Sequence, residues 1–516
     1  MGRGTRPPRT LNPEPCEPVT EVIEQIQATA PLILPEIILL ATMCAMLLGG
    51  PLLVTDAGDA APGLRHRWAF LSLAALLIAS FVGLRGEPSD VMEGALFRTD
   101  ALVWYTRGLS LAAGILLVLV LWNEIDDGYA AEAHAFLLAI LAGANLVAAA
   151  SDLVSLFLAL ELVSIPTYVL LYLSRRDRMG REATIKYFLL SIFSSALVLY
   201  GMSWMYGIAG TTNLAGIGSY IGAQAAAAEY RLMPLAFAMV LTGLCFRIAA
   251  VPFHFYVPDV LQGTTAANAA LLSFVPKVVG FVALLRLLPL TGVAESLDGW
   301  LPDDSARRLL AVLAVLTMFV GNLMAVRQKY LYRLMAYSSI AHAGYMLIGL
   351  AVGDVEPARG TDALLFYLAA YGLMTIGVFA MFAAVTSRER PLRTDDDLRG
   401  LSRLQPSVAL MLAVLLFSLT GLPPTAGFLG KLNLFVAAWG EGSTIGRSLA
   451  VILALNAAIA AWYYLRLIAL MFLEPTSEPE AQPERIVWTA WLAGIVCTIA
   501  TVAIFIAPQW LWDSVP

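Results

Sequence analysis

Charged residues are scarce in this chain. Asp, Glu, Lys and Arg make up 14% of its 516 residues, against about 25% in soluble proteins. Apolar residues reach 59%, and the mean hydropathy is +0.76. This composition is typical of a membrane protein that crosses the bilayer many times. The net charge of -6 argues against nucleic-acid binding, which needs clustered Lys and Arg on an accessible face.

Motifs that bind cofactors are also missing. Cys16, Cys44, Cys245 and Cys497 are scattered without CxxC spacing, which argues against a metal site or an iron-sulfur cluster. No GxGxxG after a strand, Walker loop or HExxH is present. We therefore expect the chain to bind no cofactor and to house no redox chemistry. Residues 1–29 are polar and Pro-rich and lack the layout of a secretory signal, so they predict a flexible extension.

Long apolar runs dominate the rest of the sequence. Taking about 20 apolar residues as one membrane span, we predict an all-α protein with about fourteen transmembrane helices. Their approximate ranges are 30–50, 67–85, 101–122, 131–150, 152–174, 184–209, 232–256, 266–289, 307–327, 331–352, 361–386, 405–440, 446–473 and 487–513.

Lysine and arginine in the loops indicate the orientation. They are more frequent where odd-numbered spans end, as in the loop after span five, with Arg175, Arg176, Arg178 and Arg181. Because such loops face the cytoplasm, both termini are expected on the outer, periplasmic side.

Two predicted spans are interrupted, and they lie five apart in order. Span seven contains Pro252 and is followed by Pro258, and span twelve reads SLTGLPPTAGFLGKLNLF. Broken helices at matching positions of two halves are typical of transporters with inverted repeats. We therefore predict helices 1–3 over 30–122, a first repeat of helices 4–8 over 131–289, a second repeat of helices 9–13 over 307–473, and helix 14 over 487–513.

Four charged residues lie within the apolar runs, where a charge costs at least about 2.5 kcal/mol. Glu161 and Lys277 are mid-span, Lys431 follows the break of span twelve, and Arg247 lies in span seven. Burial disfavours the charged form of a carboxyl or amine, so such groups suit proton transfer. Arg247 keeps its charge at any accessible pH and is expected to act as a fixed counter-ion. The alternative is a structural role, which for Glu161 and Lys431 would be a hydrogen bond to a backbone carbonyl.

Other polar residues are weaker candidates. His254, just past Pro252, and His342 could titrate near neutral pH, although buried histidines often only pack. Lys186 lies near the cytoplasmic end of span six, where its ammonium could instead reach the interface. Structural roles are expected for Glu36, Arg107, Arg286 and Arg466.

Several stretches match one known family. They are PEIILLA (35–41), LELVSIPTYVLLYL (160–173), KYFLLSIFSSALVLYG (186–201), VPFHFYVPDVLQGTTAANAALLSFVPKVVGFVALLR (251–286), LMAYSSIAHAGYMLIG (334–349) and SLTGLPPTAGFLGKLNLF (418–435). Together they resemble the antiporter-like subunit N of the bacterial proton-pumping NADH:quinone oxidoreductase, the respiratory complex I. The resemblance covers nearly all of residues 30–513.

The resemblance implies two inverted five-helix repeats with broken helices seven and twelve, and proton translocation in a membrane arm. It matches Glu161, Lys277 and Lys431 to the family's proton-path residues, whereas Arg247 stands where a lysine is usual. It further implies that FMN, iron-sulfur clusters and the quinone site lie on partner subunits of the membrane and peripheral arms, in the bacterial inner membrane. Alternatives are a subunit of a cation/proton antiporter, a subunit of a membrane-bound hydrogenase, or a structural subunit that does not pump.

Overall fold

The computed structural model describes residues 29–53, 61–83, 85, 96–224, 232–291, 304–355, 358–386, 392–475 and 486–516. The predicted N-terminal extension therefore lies, except for Thr29, outside the described residues.

The first half of the chain contains nine labelled helices. They are α1 (Leu34–Leu52), α2 (Leu64–Gly83), α3 (Ala101–Leu121), α4 (Ala130–Ala149), α5 (Leu153–Ser174), α6 (Arg178–Ala209), α7 (Met233–Arg247), α8 (Val257–Gln262) and α9 (Ala266–Leu287). A short helix, Leu214–Gln224, lies between α6 and α7.

The second half contains seven more. They are α10 (Asp304–Val326), α11 (Leu331–Val352), α12 (Gly360–Val385), α13 (Pro406–Thr420), α14 (Ala426–Gly440), α15 (Thr444–Leu473) and α16 (Trp488–Ile506). Short helices at Leu401–Leu404 and Gln509–Trp512 flank them, and a small hairpin pairs Asp354–Val355 with Ala358–Arg359.

The described helices confirm the predicted all-α membrane fold. Twelve of them are long and apolar enough to cross a membrane, and Met233–Arg247 and Pro406–Thr420 are shorter apolar helices. These two shorter helices open the two predicted broken spans, which brings the total to the fourteen expected. The exact bounds of the two repeats remain a prediction.

The first break separates α7 from α8. Residues 248–256 leave the helical path, and the backbone groups freed there find partners: the N–H of Val251 donates to Thr317 Oγ1 at 3.0 Å. The Tyr256 hydroxyl donates to the carbonyl of Phe246 at 2.9 Å, and the two rings stack with centroids 4.3 Å apart. Such partners are needed because a membrane interior supplies no water to an unpaired backbone group.

The second break separates α13 from α14 and depends on glycine. Gly421 has φ +88°, a left-handed conformation that costs other residues about 1–2 kcal/mol. Gly427 lies so close to α13 that an added Cβ would be 1.9 Å from the carbonyl oxygen of Ser418. Its N–H donates to Ser418 Oγ at 3.1 Å, which holds the start of α14 against the end of α13.

The centre of the bundle is formed by α9, α11 and α12, whose residues are buried around almost the whole circumference. The outer helices expose one face rich in large apolar side chains, for example Phe70, Phe193 and Leu455. A helix that is apolar all round belongs in a core. Polar side chains on α9, α11 and α12 therefore lie away from lipid and can reach one another.

Candidate functional site

Glu161 and Arg247 form an ion pair between α5 and the last residue of α7. Arg247 Nη2 lies 3.3 Å from Glu161 Oε1, and the side chains are 7% and 22% exposed, respectively. Ser195 on α6 donates a short hydrogen bond to the same carboxylate oxygen. Arg247, which we expected to be a fixed counter-ion, therefore lies against a carboxylate of another helix, and a hydroxyl from a third helix is bonded to that carboxylate.

Further contacts fix the Arg247 guanidinium. Its Nη1 donates to Ser164 Oγ at 2.8 Å and to the carbonyl of Leu160 at 3.2 Å, and its Nη2 donates to Ser195 Oγ at 3.5 Å in addition to Glu161. Four donor contacts within one planar group suit arginine better than lysine, which concentrates its charge at one atom. This position is also the carbonyl end of α7, where the helix dipole favours a cation.

The ion pair abuts the helix that carries Lys277. A Cβ added to Gly280 would lie 2.4 Å from Ile248 Cγ2 and 3.6 Å from Arg247 Cβ, so α7 and α9 touch there. Lys277 is three residues before Gly280, which is slightly less than one helical turn. The end of α7 that carries Arg247 therefore packs against α9 within about one helical turn of Lys277.

Lys277 is 2% exposed and lies mid-helix on α9. Its Nζ donates to the carbonyl of Ser273 at 3.2 Å and, through a short hydrogen bond, to Ser339 Oγ on α11. The ammonium also lies 5.6 Å from the ring centroid of Tyr371 on α12. Each contact is to a neutral group, so the described surroundings of this lysine leave its proton free to be passed on.

Two groups of hydrogen-bonded hydroxyl and imidazole side chains lie beside Lys277 and meet at a contact between two rings. The Tyr371 hydroxyl donates to Ser339 Oγ at 2.9 Å, and its ring lies 5.1 Å from that of His342, centroid to centroid. His342 Nδ1 contacts the Tyr367 hydroxyl at 2.6 Å, and Nε2 contacts the Tyr464 hydroxyl at 3.1 Å. Hydroxyl and imidazole groups both donate and accept, as a proton relay requires.

Lys431 lies just after the second break. Its Nζ donates to the carbonyls of Leu419 and Thr420, each at 2.8 Å, and lies 5.0 Å from the ring centroid of Tyr345. These carbonyls belong to the last two residues of α13.

Two buried amides extend the network behind Tyr345. Asn322 on α10 donates from Nδ2 to the Tyr345 hydroxyl and to Asn456 Oδ1 on α15, each at 3.0 Å. The Tyr463 hydroxyl donates to Asn322 Oδ1 at 3.1 Å. This network joins the outer helices α10 and α15 to the ring that faces Lys431.

Sequence reasoning missed these linking residues. Asn322 and Asn456 carried a usable signal, because a lone amide within an apolar span demands a buried partner. Tyr345, Tyr371 and Tyr464 carried little, because tyrosine is equally expected at membrane interfaces.

The remaining candidates lie elsewhere. Lys186 Nζ pairs with Asp259 at 2.6 Å and Glu182 at 2.7 Å, and Asp259 also binds Arg333 at 2.7 Å. This surface cluster joins α6, α8 and α11 and lies apart from the Lys277 contacts. His254 lies in the first break with its Nδ1 buried and without a hydrogen-bond partner among the described residues.

The residues expected to be structural do form local pairs. Arg107 binds Glu36 through two contacts of 2.7 and 2.9 Å, joining α1 to α3. Arg286 binds Asp100 at 2.5 and 2.7 Å. Arg466 lies 3.0 Å from Asp395. These pairs connect helix ends and loops, as their positions near span ends suggested.

The fold and the buried lysines define an antiporter-like membrane subunit. Residues 150–456 match the family model described as NADH:quinone oxidoreductase/Mrp antiporter, transmembrane. A subunit from the Mrp complex of a Dietzia species shares the fold, with a TM-score of 0.76 at 20% identity over 93% of this chain and 96% of that one.

Closer similarity is found to one particular subunit. The NADH-quinone oxidoreductase subunit N of Trichlorobacter lovleyi is 38% identical over 86% of this chain and 88% of its own length, and that of Rhodospirillum rubrum is 34% identical over 93% and 95%. A chain of the Thermus thermophilus respiratory complex I matches with a TM-score of 0.75 and 30% identity, over 93% of this chain and 98% of that one. The chain belongs to the NADH-quinone oxidoreductase subunit N family.

Proposed function

We propose that this chain translocates protons across the membrane as a membrane-arm subunit of an NADH:quinone oxidoreductase. The observation that carries the proposal is the chain of contacts from Lys277 through Ser339, Tyr371 and His342 toward Lys431. Two nearly fully buried lysines have no ordinary structural use at bilayer depth. Neighbouring groups that both donate and accept protons give the two lysines a use in proton transfer.

The proposed mechanism is electrostatic. At the observed 3.3 Å separation and an effective dielectric of about 20, the Glu161–Arg247 attraction is about 5 kcal/mol. A conformational or electric signal from the redox arm would open or close this pair and so change the field at Lys277. Lys277 would then release its proton along the hydroxyl chain to Lys431 and on to the outer side. Arg247 holds a charge throughout and passes no proton.

The electron-transfer chemistry belongs to partner subunits in this proposal. FMN and iron-sulfur clusters would be bound by the peripheral arm, quinone would be reduced on other subunits, and this chain would act as the translocase component without a redox site. The absence of cofactor motifs in the sequence supports this division. The loop charges support a place in the bacterial cytoplasmic membrane with both termini on the periplasmic side.

The test is Lys277→Met in the assembled complex. Methionine has a similar length and no proton to give, so we expect NADH-driven proton translocation to be abolished while the complex still assembles. Translocation would be measured in membrane vesicles with a pH-sensitive dye, and assembly by native gel. Wild-type pumping in this variant would overturn the proposal, and it would favour a structural subunit that does not pump.

A subunit of a cation/proton antiporter is the alternative that the family description itself raises. Such a subunit would exchange a cation for protons without NADH. Cation-driven proton movement in vesicles that lack NADH and quinone would favour that reading. Adjacent genes for flavin and iron-sulfur subunits support the oxidoreductase, whereas genes for a nickel-iron hydrogenase would favour a membrane-bound hydrogenase.

A further inference from the structure

Glu124 is an acidic residue that the mechanism above does not use. It lies in the loop after α3, and its Oε2 accepts a hydrogen bond from the N–H of Ala267 at 2.9 Å. Glu124 is therefore attached to the first turn of α9, the helix that carries Lys277.

The same carboxyl group borders a large open cavity. The cavity has a volume of about 700 Å³ and is lined in part by Asn123, Glu124, Thr264 and Tyr332. Arg175 and Arg393, which lie in loops assigned to the cytoplasmic side, line it as well. A space of this size with polar walls holds many waters, so protons from the cytoplasm can reach Glu124.

Polar groups on α9 lead inward from the cavity. Ala267 and Lys277 are ten residues apart on one helix, which is about 15 Å at 1.5 Å per residue. Between them Ser273 has a buried Oγ without a partner among the described residues, and its carbonyl accepts from Lys277 Nζ. At the cavity end Thr264 Oγ1 is likewise buried and unpartnered in the described part of the chain. Buried hydroxyls of this kind usually bind internal water.

We propose that Glu124 is the proton acceptor at the cytoplasmic entrance of the path to Lys277. This inference rests on the proposed proton-translocating function. The carboxylate takes a proton from water in the cavity, and the resulting carboxylic acid gives it to the next water along α9. Each turnover returns Glu124 to the carboxylate, so the residue is regenerated and alternates between a charged and a neutral form. Because Glu124 also binds the N-terminus of α9, its charge further stabilises that helix end when ionised.

The pKa of Glu124 supports the assignment. Burial raises the pKa of Glu124 to about 7, although the hydrogen bond from the Ala267 N–H opposes the increase. Both protonation states are then populated near neutral pH, as an efficient proton acceptor requires.

The other ionisable groups that line the cavity are arginines, tyrosines and one aspartate, residue types whose ordinary pKa values lie far from 7. Arg175 is paired with Asp177 at 2.8 Å, and both groups line the cavity. Hydrogen bonds and the Arg175 charge hold the pKa of Asp177 below its usual value despite partial burial. Tyr330, Tyr332 and Arg393 complete the ionisable lining in the described residues. A titration near pH 7 at this entrance therefore reports on Glu124.

The test compares Glu124→Gln with Asp127→Asn in the full complex. Glutamine keeps an oxygen for the Ala267 N–H but carries no exchangeable proton. Asp127 lies three residues further on, accepts from the N–H groups of Gly63 and Arg65 at the start of α2, and serves as a matched acidic control. The initial rate of NADH-driven proton uptake would be measured from pH 6 to pH 8.5 in inverted vesicles.

We expect a wild-type titration step near pH 7 that Glu124→Gln removes, with uptake slowed at least about tenfold, in line with the loss of a general acid–base group. Asp127→Asn should keep both the step and the rate. An unchanged rate and pH profile in Glu124→Gln would overturn the proposal. If Glu124→Gln fails to assemble, Glu124→Asp decides: a retained step supports the role, and an assembled variant without the step refutes it. Lys277→Met tests whether the chain translocates protons at all, so a failure of the Glu124 proposal can be distinguished from a failure of the proposed function.

Discussion

Removal of the Arg247 charge is the sharpest perturbation of the proposed coupling. Arg247→Ala leaves Glu161 without its cation in a largely buried setting, with the Arg247 side chain 7% exposed and the Glu161 side chain 22% exposed. Breaking a buried ion pair from one side costs about 3–5 kcal/mol. Because Glu161 is partly exposed, we expect a loss near the lower end of that range. We also expect a lower proton-to-electron ratio, because the field at α9 no longer responds to the redox arm.

Arg247→Lys separates charge from geometry. The lysine keeps a cation near Glu161 but cannot reach Ser164, Leu160 and Glu161 together, as the guanidinium does. We expect this variant to pump with the wild-type proton-to-electron ratio and to be somewhat less stable. The ratio would be measured in inverted vesicles from NADH oxidation and dye quenching, and stability from thermal unfolding of the purified complex.

The double variant Glu161→Gln/Arg247→Ala serves as the control. With both charges removed, no unpaired carboxylate is left buried, so stability should recover by at least about 0.5 kcal/mol relative to Arg247→Ala. Pumping should stay impaired, because the switch is still absent. An Arg247→Ala variant with an unchanged proton-to-electron ratio would remove Arg247 from the mechanism. A double variant that is no more stable than Arg247→Ala would show that the pair does not interact.

Two further predictions concern the second break and the topology. Gly421→Ala introduces a Cβ 2.8 Å from Lys431 Cδ at φ +88°, so it should displace the lysine and slow proton translocation. Gly442→Ala is the control: at φ +82° its added Cβ meets no atom closer than 3.9 Å, so it should lose similar stability and keep the wild-type rate of proton translocation. Equal rates of proton translocation in the two variants would refute the role of Lys431. In a cysteine-free background, Arg393→Cys should react with a membrane-impermeant maleimide only from the cytoplasmic side, and Thr444→Cys only from the outer side. The reverse pattern would invert the topology.

The fold was largely predictable because the bilayer restricts the possibilities. Runs of about 20 apolar residues must be helices whose backbone groups bond internally, so counting them predicts fourteen spans. Prolines and glycines within two of the runs predicted the breaks. The start of α8 at Val257 was not predictable, because the loop before it is held by Thr317 of a distant helix and by the Tyr256 contact with Phe246.

The site was predictable only where a charge marks it. The cost of a charge at bilayer depth singles out Glu161, Arg247, Lys277 and Lys431 from sequence alone. Hydroxyl groups carry a much smaller penalty, so Ser339 or Tyr371 is indistinguishable from a packing residue until the helices are assembled. Glu124 is harder still to predict from the sequence, because its proposed role depends on its contact with Ala267, 143 residues later in the chain.

The cations at the two helix breaks make different contacts, and this difference indicates a different role for each half of the chain. Arg247 is the last residue of α7 and binds neighbouring side chains, whereas Lys431 follows the second break and binds the last carbonyls of α13. Both positions use the negative end of a half-helix to stabilise a cation. A guanidinium keeps its proton there, but an ammonium can release it. In the proposed mechanism we therefore expect the first break to set a field and the second to pass a proton, so that the step that commits a proton to the outer side would lie between Lys277 and Lys431.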